Sequence, residues 1–121
     1  MLALYNTGLS DNAIQMLASG IELSNAGLIY LDLRQNTYES EGFQKLVNSI
    51  TGSSTLLTLR INAVHIEENE VRLLRQLFGH KNCHIQNLEM EELEVSDNMS
   101  KDVIDAVCQL QRLFTFDFSN N

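Results

Sequence analysis

The chain has no proline and no tryptophan, and only two cysteines. Its 8 lysines and arginines face 16 aspartates and glutamates, giving a formal net charge of −8. Each shortage excludes something. A chain poor in positive charge has no cationic footprint for a phosphate backbone or an anionic bilayer, so neither nucleic acid nor a membrane surface is the expected partner. The excess of carboxylates favours solubility and a basic partner. Two cysteines, Cys83 and Cys108, are too few for a small secreted domain stapled by disulfides, which points to a reducing, cytoplasmic setting. Cys108 follows a core position and reads as a buried, inert thiol. No apolar run approaches the roughly 20 residues of a membrane span. The N-terminus lacks the basic residues that open a secretion signal. Without proline, short strands and helices pack closely with no missing N–H donors. No nucleophile elbow, phosphate loop, paired-histidine metal motif or cysteine cluster occurs. No cofactor is expected, and the chain reads as a non-enzyme.

What is present is a repeated pattern over one domain's length, 121 residues, of which 44% are apolar. Residues 28–50 show it best. Leu28, Leu31, Leu33, Asn36 and Tyr38 spell L-x-x-L-x-L-x-x-N-x-Y. Leu31 and Leu33 alternate with Tyr30, Asp32 and Arg34, the period of a strand with one buried face. Phe43, Leu46, Val47 and Ile50 then share one helical face at spacings of three and four. The same unit starts again near residues 56, 85 and 113, and the same phase run backward covers residue 1 onward. The strand pairs become Leu2 and Leu4, Leu31 and Leu33, Leu59 and Ile61, Leu88 and Met90, Phe116 and Phe118. The helix core positions become Leu17 and Ile21, Leu46 and Ile50, Leu74 and Phe78, Val103 and Val107. Outward positions such as Gln15, Ser19, Gln44, Asn48, Arg72, Gln76, Lys101 and Asp105 are all polar, as a solvated face requires. Strands are expected near 2–4, 30–33, 58–61, 87–90 and 115–118, and helices near 11–21, 41–51, 68–79 and 97–109. Ser10-Asp11-Asn12, Ser40, Glu67-Glu68 and Ser96-Asp97-Asn98 mark helix starts. Glu41 and Glu70 suit the positive end of a helix dipole. Gly52 and Gly79 suit left-handed caps at helix ends.

These units resemble the leucine-rich repeat family over essentially the whole chain. The 28–29-residue period with a full helix is similar to the ribonuclease-inhibitor subclass. That subclass also includes the Ran GTPase-activating proteins and the repeat domains of NOD-like immune receptors. The resemblance implies an α/β solenoid, a horseshoe segment with parallel strands on its concave side and helices on its convex side. It also implies that residues 1–121 form a single array segment of about four repeats plus a terminal strand, truncated at both ends. Open ends of this kind are expected to favour self-association. The turn asparagine of the motif stands at Asn36 and Asn121, but Thr7, Val64 and Leu93 replace it elsewhere, so the third and fourth turns are expected to be irregular. The glycine before the helix survives only as Gly42; Ala13, Glu70 and Met99 take its place.

The strand alternation sends one set of residues to the concave face. They are Tyr5, Tyr30, Asp32, Arg34, Thr58, Arg60, Asn62, Asn87, Glu89, Glu91, Thr115, Asp117 and Ser119, with Ala3 among them. This face runs from aromatic through basic to acidic, and Glu92 and Glu94 extend the acidic end. Carboxylates on an open sheet lack the burial that drives catalytic pKa values apart, so binding is the expected use. His80, Cys83 and His84 carry metal-ligating atoms within five residues, but no fourth ligand is apparent and the stretch reads as a solvated loop. Asn98-Met99-Ser100 fits a glycosylation pattern and reads instead as a helix start. The function expected is a protein-interaction scaffold using the concave face. The alternatives are a small-GTPase regulator like the Ran GTPase-activating group, with Arg34, Arg60 or Asn36 as accelerating residues, or a structural segment of a large assembly.

Overall fold

A computed structural model describes residues 1–23, 27–62, 65–91, 94–95, 97–118, with the side chains of 94, 95, 97 and 98 left aside. The elements alternate along the chain. Strand β1 (Leu2–Ala3) leads to helix α1 (Asp11–Leu23), and β2 (Tyr30–Asp32) leads to α2 (Ser40–Ile50). Then β3 (Thr58–Asn62) and a short β4 (His65–Ile66) precede α3 (Glu68–Phe78). Next come β5 (Asn87–Glu91), β6 (Glu94–Val95), α4 (Asp97–Val107) and β7 (Thr115–Asp117).

Five strands form one parallel sheet in the order β1-β2-β3-β5-β7. Leu2 stands opposite Leu31, Leu31 opposite Leu59, Leu59 opposite Leu88, and Leu88 opposite Phe116. These are the residues that the repeated pattern aligns, so sequence register and hydrogen-bond register coincide. A one-residue slip would turn every leucine of a strand to the other face.

One face of the sheet packs on the helices. Leu31, Leu33, Leu59, Ile61, Leu88 and Met90 share a single core with Phe43, Leu46, Val47, Ile50, Leu74, Leu77, Phe78, Val103 and Val107. Consecutive helices lie side by side, α1 on α2, α2 on α3 and α3 on α4. Leu17 and Ile21 of α1, and Leu2, Phe116 and Phe118 of the edge strands, are only partly buried because each has a neighbour on one side alone. The polar helix positions Ser19, Asn48, Arg72, Gln76, Lys101 and Asp105 are exposed.

Several local expectations need correction. A second two-stranded parallel ladder, β4 with β6, was not foreseen; His65 pairs with Glu94 and Ile66 with Val95. Val64 and Leu93, where irregular turns were expected, lie outside the described residues, as does Asn121. Ser10 Oγ caps α1 by accepting the Ala13 N–H at 3.3 Å. Neither α2 nor α3 has a side-chain cap at the preceding residue, Glu39 or Glu67. Helix α2 is capped from the neighbouring unit instead. The Asp11 carboxylate accepts the N–H groups of Glu39 at 2.7 Å and Gly42 at 3.0 Å. A Cβ at Gly42 would run into that carboxylate, which is why a glycine sits there. Glu70 takes the equivalent place one unit on, in the first turn of α3 as expected, and is buried, accepting the Ser40 hydroxyl at 3.0 Å. Gly52 has φ 90°, as a left-handed end requires, whereas Gly79 has φ −85°. Gly79 is needed for space: a Cβ there would meet the Arg75 carbonyl oxygen at 2.9 Å. Cys108 is exposed, not buried, because its position lies one residue past the end of α4. The start of α4 at Ser96, Asp97 and Asn98 is outside the described side chains.

Candidate functional site: the open face of the sheet

The face of the sheet turned away from the helices carries three cross-strand rows. In the first, Tyr30, Thr58, Asn87 and Thr115 stand in register. The last three form a polar ladder: Asn87 Nδ2 donates to Thr58 Oγ1 at 3.3 Å, and the Thr115 hydroxyl donates to Asn87 Oδ1 at 2.7 Å.

The second row is Ala3, Asp32, Arg60, Glu89 and Asp117. Opposite charges alternate from Asp32 to Arg60 to Glu89, the favourable arrangement for directly facing strand residues. Arg34, two residues beyond Asp32, closes the cluster. Its Nε and Nη2 donate to the two oxygens of Asp32 at 2.9 and 2.8 Å, a bidentate pair. Its Nη1 reaches Glu89 Oε1 at 2.7 Å, across the intervening strand. Arg60 Nε lies 3.5 Å from Glu89 Oε2, and Arg60 Nη1 donates to the Tyr30 hydroxyl at 3.1 Å. Each guanidinium also covers an aromatic ring, Arg34 over Tyr5 at 5.0 Å and Arg60 over Tyr30 at 5.5 Å.

This packing moves two ionisation equilibria. Burial pushes the Asp32 carboxyl up, but the hydrogen bonds and charge of Arg34, with the charge of Arg60, hold it below the usual carboxylate range. The same contact with Asp32 raises Arg34, so the pair stays ionised.

The third row reaches into the turns, and here the alternation fails. Tyr5 is 50% exposed, while Asn62 and Glu91 are buried together with Asp32. These three are therefore not available to a partner as the strand period had placed them. Asp32 is covered by Arg34 and Arg60. Asn62 is drawn in because its N–H donates to the buried Tyr38 hydroxyl at 3.1 Å. Burial in turn pushes the Tyr38 phenol well above its ordinary range. Gln35 lies over Glu91 and donates to it at 3.2 Å. Sequence reasoning missed Gln35. Its φ of 61°, shared by Asn6 at the equivalent position (φ 51°), turns it back over the strand ends. Ser119 lies outside the described residues, as does Glu92.

What the open face still presents is Tyr5, the edge of Tyr30, the outer part of Arg60, Glu89, and the exposed Thr115 and Asp117. Arg34 has most of its donors committed. No group of three or more metal-ligating side chains is gathered among the described residues. His80 uses Nδ1 to accept the Asn82 N–H at 3.1 Å, and burial pushes the half-buried Cys83 thiol up. No helix of the described residues is long and apolar enough to cross a membrane.

No family model matches the chain. Its sequence is similar to three named mammalian proteins in particular. It is 25% identical over 113 residues to the NACHT, LRR and PYD domains-containing protein 4E of Mus musculus, covering 93% of this chain and 12% of that protein. It is 24% identical over 120 residues to the NACHT, LRR and PYD domains-containing protein 5 of Homo sapiens, covering 99% and 10%. Protein 14 of that name, also from Homo sapiens, is 23% identical over 120 residues, covering 99% and 11%. The chain thus spans about a tenth of the length of the curated relatives it matches.

Proposed function

We propose that this chain is a segment of a leucine-rich repeat solenoid that binds a protein partner on its concave, open sheet face and does no catalysis. The observation that carries the reading is the second cross-strand row. Asp32, Arg34, Arg60 and Glu89 form one ionic cluster there, and the exposed Asp117 stands in register with Glu89. Exposed acidic surface at this end of the row is complementary to a lysine or arginine of a partner. Toward the opposite edge of the sheet, Tyr5 and Tyr30 offer aromatic surface already oriented by arginines, and such residues carry binding energy at little entropic cost. The likeness to proteins whose names include LRR domains agrees with an interaction role. Five strands make a strip roughly 20 Å wide at about 4.8 Å per strand. That is narrower than a standard interface of roughly 20–30 residues a side, so affinity is modest.

The GTPase-regulator reading gains no specific support. Arg34 is held by two carboxylates, and Asn36 is buried among backbone groups. Selection of a displayed peptide library against the chain tests the scaffold reading. Selected peptides should be rich in Lys and Arg, and should release as salt rises because exposed charges are screened. Asp117→Lys with Tyr5→Ala should abolish capture, while Gln44→Lys with Asn48→Lys on the helical side should not. The reverse pattern, or peptides without basic residues, would place binding elsewhere.

A further inference from the structure

At the turn end of the open face, two buried acceptors lie together without a cation. Asn62 and Glu91 stand in register on the neighbouring parallel strands β3 and β5, so their side chains take the same face of the sheet. Asn62 is 1% exposed and Glu91 8%. The Asn62 backbone N–H is paired with the Tyr38 hydroxyl, but its side-chain Oδ1 is buried and accepts no hydrogen bond among the described residues. An amide oxygen left in that condition is costly and uncommon. Glu91 forms no ion pair with a lysine or arginine among the described residues, although buried carboxylates are ordinarily paired. The guanidinium groups of this face, on Arg34 and Arg60, are turned to Asp32 and Glu89 instead.

A neutral amide partly answers this demand. Gln35 Nε2 donates to Glu91 Oε1 at 3.2 Å, at the long end of the hydrogen-bond range. Gln35 is exposed, and to reach β5 from the turn after β2 its side chain crosses the strand that carries Asn62. Both acceptors would be satisfied by one compact group with positive charge and several donors. A lysine ammonium carries three N–H donors at a single point, whereas a guanidinium spreads five over a planar fork. Neighbouring strands lie about 4.8 Å apart, so one nitrogen between Asn62 Oδ1 and the Glu91 carboxylate can reach both.

We propose that Asn62 and Glu91 form a lysine pocket closed by Gln35, and that a lysine of the partner displaces the Gln35 amide and places its ammonium between them. The inference rests on the open face being the binding surface, and it narrows the basic partner to one anchored by lysine rather than arginine. Gln35 then acts as a flap whose own donor holds the lysine's place.

n-Butylammonium, the lysine side chain without its backbone, tests the pocket independently of any partner. Added to the isotope-labelled full chain at neutral pH, it should shift the side-chain amide resonances of Asn62 and Gln35 saturably, in the millimolar range expected of so small a probe. n-Butylguanidinium and sodium ion should not saturate over the same range. Glu91→Gln should weaken the response by more than about tenfold, because it removes the charge that the ammonium pairs with. Gln35→Ala uncovers the pocket and should strengthen the response, read at Asn62. Gln35→Lys supplies an ammonium from within the chain, so it should abolish the response and raise the melting temperature. Position 35 is exposed, and circular dichroism should show an unchanged fold for both of its variants. Amide resonances that stay still with n-butylammonium overturn the pocket, as does an equal response to sodium or n-butylguanidinium, or a Gln35→Lys chain that responds as the wild type does. A basic peptide captured on the open face should lose affinity when its lysines are replaced by arginine. Capture without that loss, and with Asn62 and Gln35 unmoved, overturns the pocket and leaves the binding face standing. Saturable n-butylammonium binding with no peptide captured upholds the pocket and overturns the binding face.

Discussion

The turn after β2 and the ladder of β4 with β6 tie neighbouring units together by different means. A chain leaving a strand edge has backbone groups that the sheet no longer pairs, and burying them unpaired is costly. After β2 the solution is a side chain. Asn36 donates to the carbonyls of Leu4, Leu33 and Arg34 at 2.7, 3.2 and 3.3 Å, and accepts the Leu9 N–H at 2.9 Å. It thereby ties its own turn to that of the preceding unit. After β3 and β5, where Val64 and Leu93 replace the asparagine, the next residues pair as a short ladder, β4 on β6, with Ile66 buried beneath. Main chain links those units, as one amide links the first two.

The comparison is broken most severely at Asn36. Asn36→Leu copies what the later units tolerate, but no ladder stands ready after β2 to compensate. Several buried backbone groups lose their partner at roughly 1–3 kcal/mol each, so a loss of about 3 kcal/mol or more is expected in a urea titration. That would rival Leu74→Ala in the centre of the core, where about 2–5 kcal/mol is usual. A change below about 1 kcal/mol would mean that this turn re-pairs its backbone without the amide.

The helix junctions give a second, milder contrast. Asp11 serves two backbone N–H groups of α2, so Asp11→Ala should cost about 1–2 kcal/mol, as the loss of a helix cap does. Ser40→Ala removes one hydroxyl from the buried Glu70. Glu70→Ala also vacates a buried site, and Ser40→Ala with Glu70→Ala should be less harmful than the sum of the two singles, because each leaves the other's partner unsatisfied. Thermal melts of the three variants measure the coupling, and strict additivity would mean that the hydroxyl and the carboxylate do not interact.

Most of the fold was legible because it rests on period. Residues two apart on strands and three or four apart on helices declare their face whatever their neighbours do. The register followed once the units were aligned, since Leu2, Leu31, Leu59, Leu88 and Phe116 occupy one place in each. What escaped depends on contacts across units. The ladder of β4 and β6 needs segments of two units to lie side by side. The cap on α2 comes from Asp11, 28 residues before the N–H of Glu39. The open face was legible as a set of residues but not as a surface, because alternation says which side a residue takes and not what lies over it. Asp32 is on the expected side beneath two guanidinium groups; Asn62 and Glu91 lie where the strand runs into its turn.

Proton linkage separates the two ways of tying units together, with the smallest effect. Burial raises the Asp11 carboxyl somewhat, but the Glu39 N–H, the Gln15 side chain and the Gly42 N–H outweigh it and hold the group below its ordinary value. A carboxyl whose folded pKa is depressed stabilises the fold above its unfolded value, about 3.9, and that contribution fades as the pH falls through the folded value. Asp11→Asn keeps an accepting oxygen but removes the charge. It should therefore be less stable than the wild type at pH 7, by under about 1 kcal/mol because the site is partly exposed and screened. The gap should narrow from about pH 4 downward, where the wild type also takes up its proton. Asn36 has no proton to gain in this range, so the deficit of Asn36→Leu should hold constant over the same interval. Melting both variants beside the wild type from pH 7 to pH 3 makes the distinction. A gap for Asp11→Asn that stays level, or widens in acid, would show that the carboxylate's charge contributes nothing to the cap and that its oxygen alone suffices.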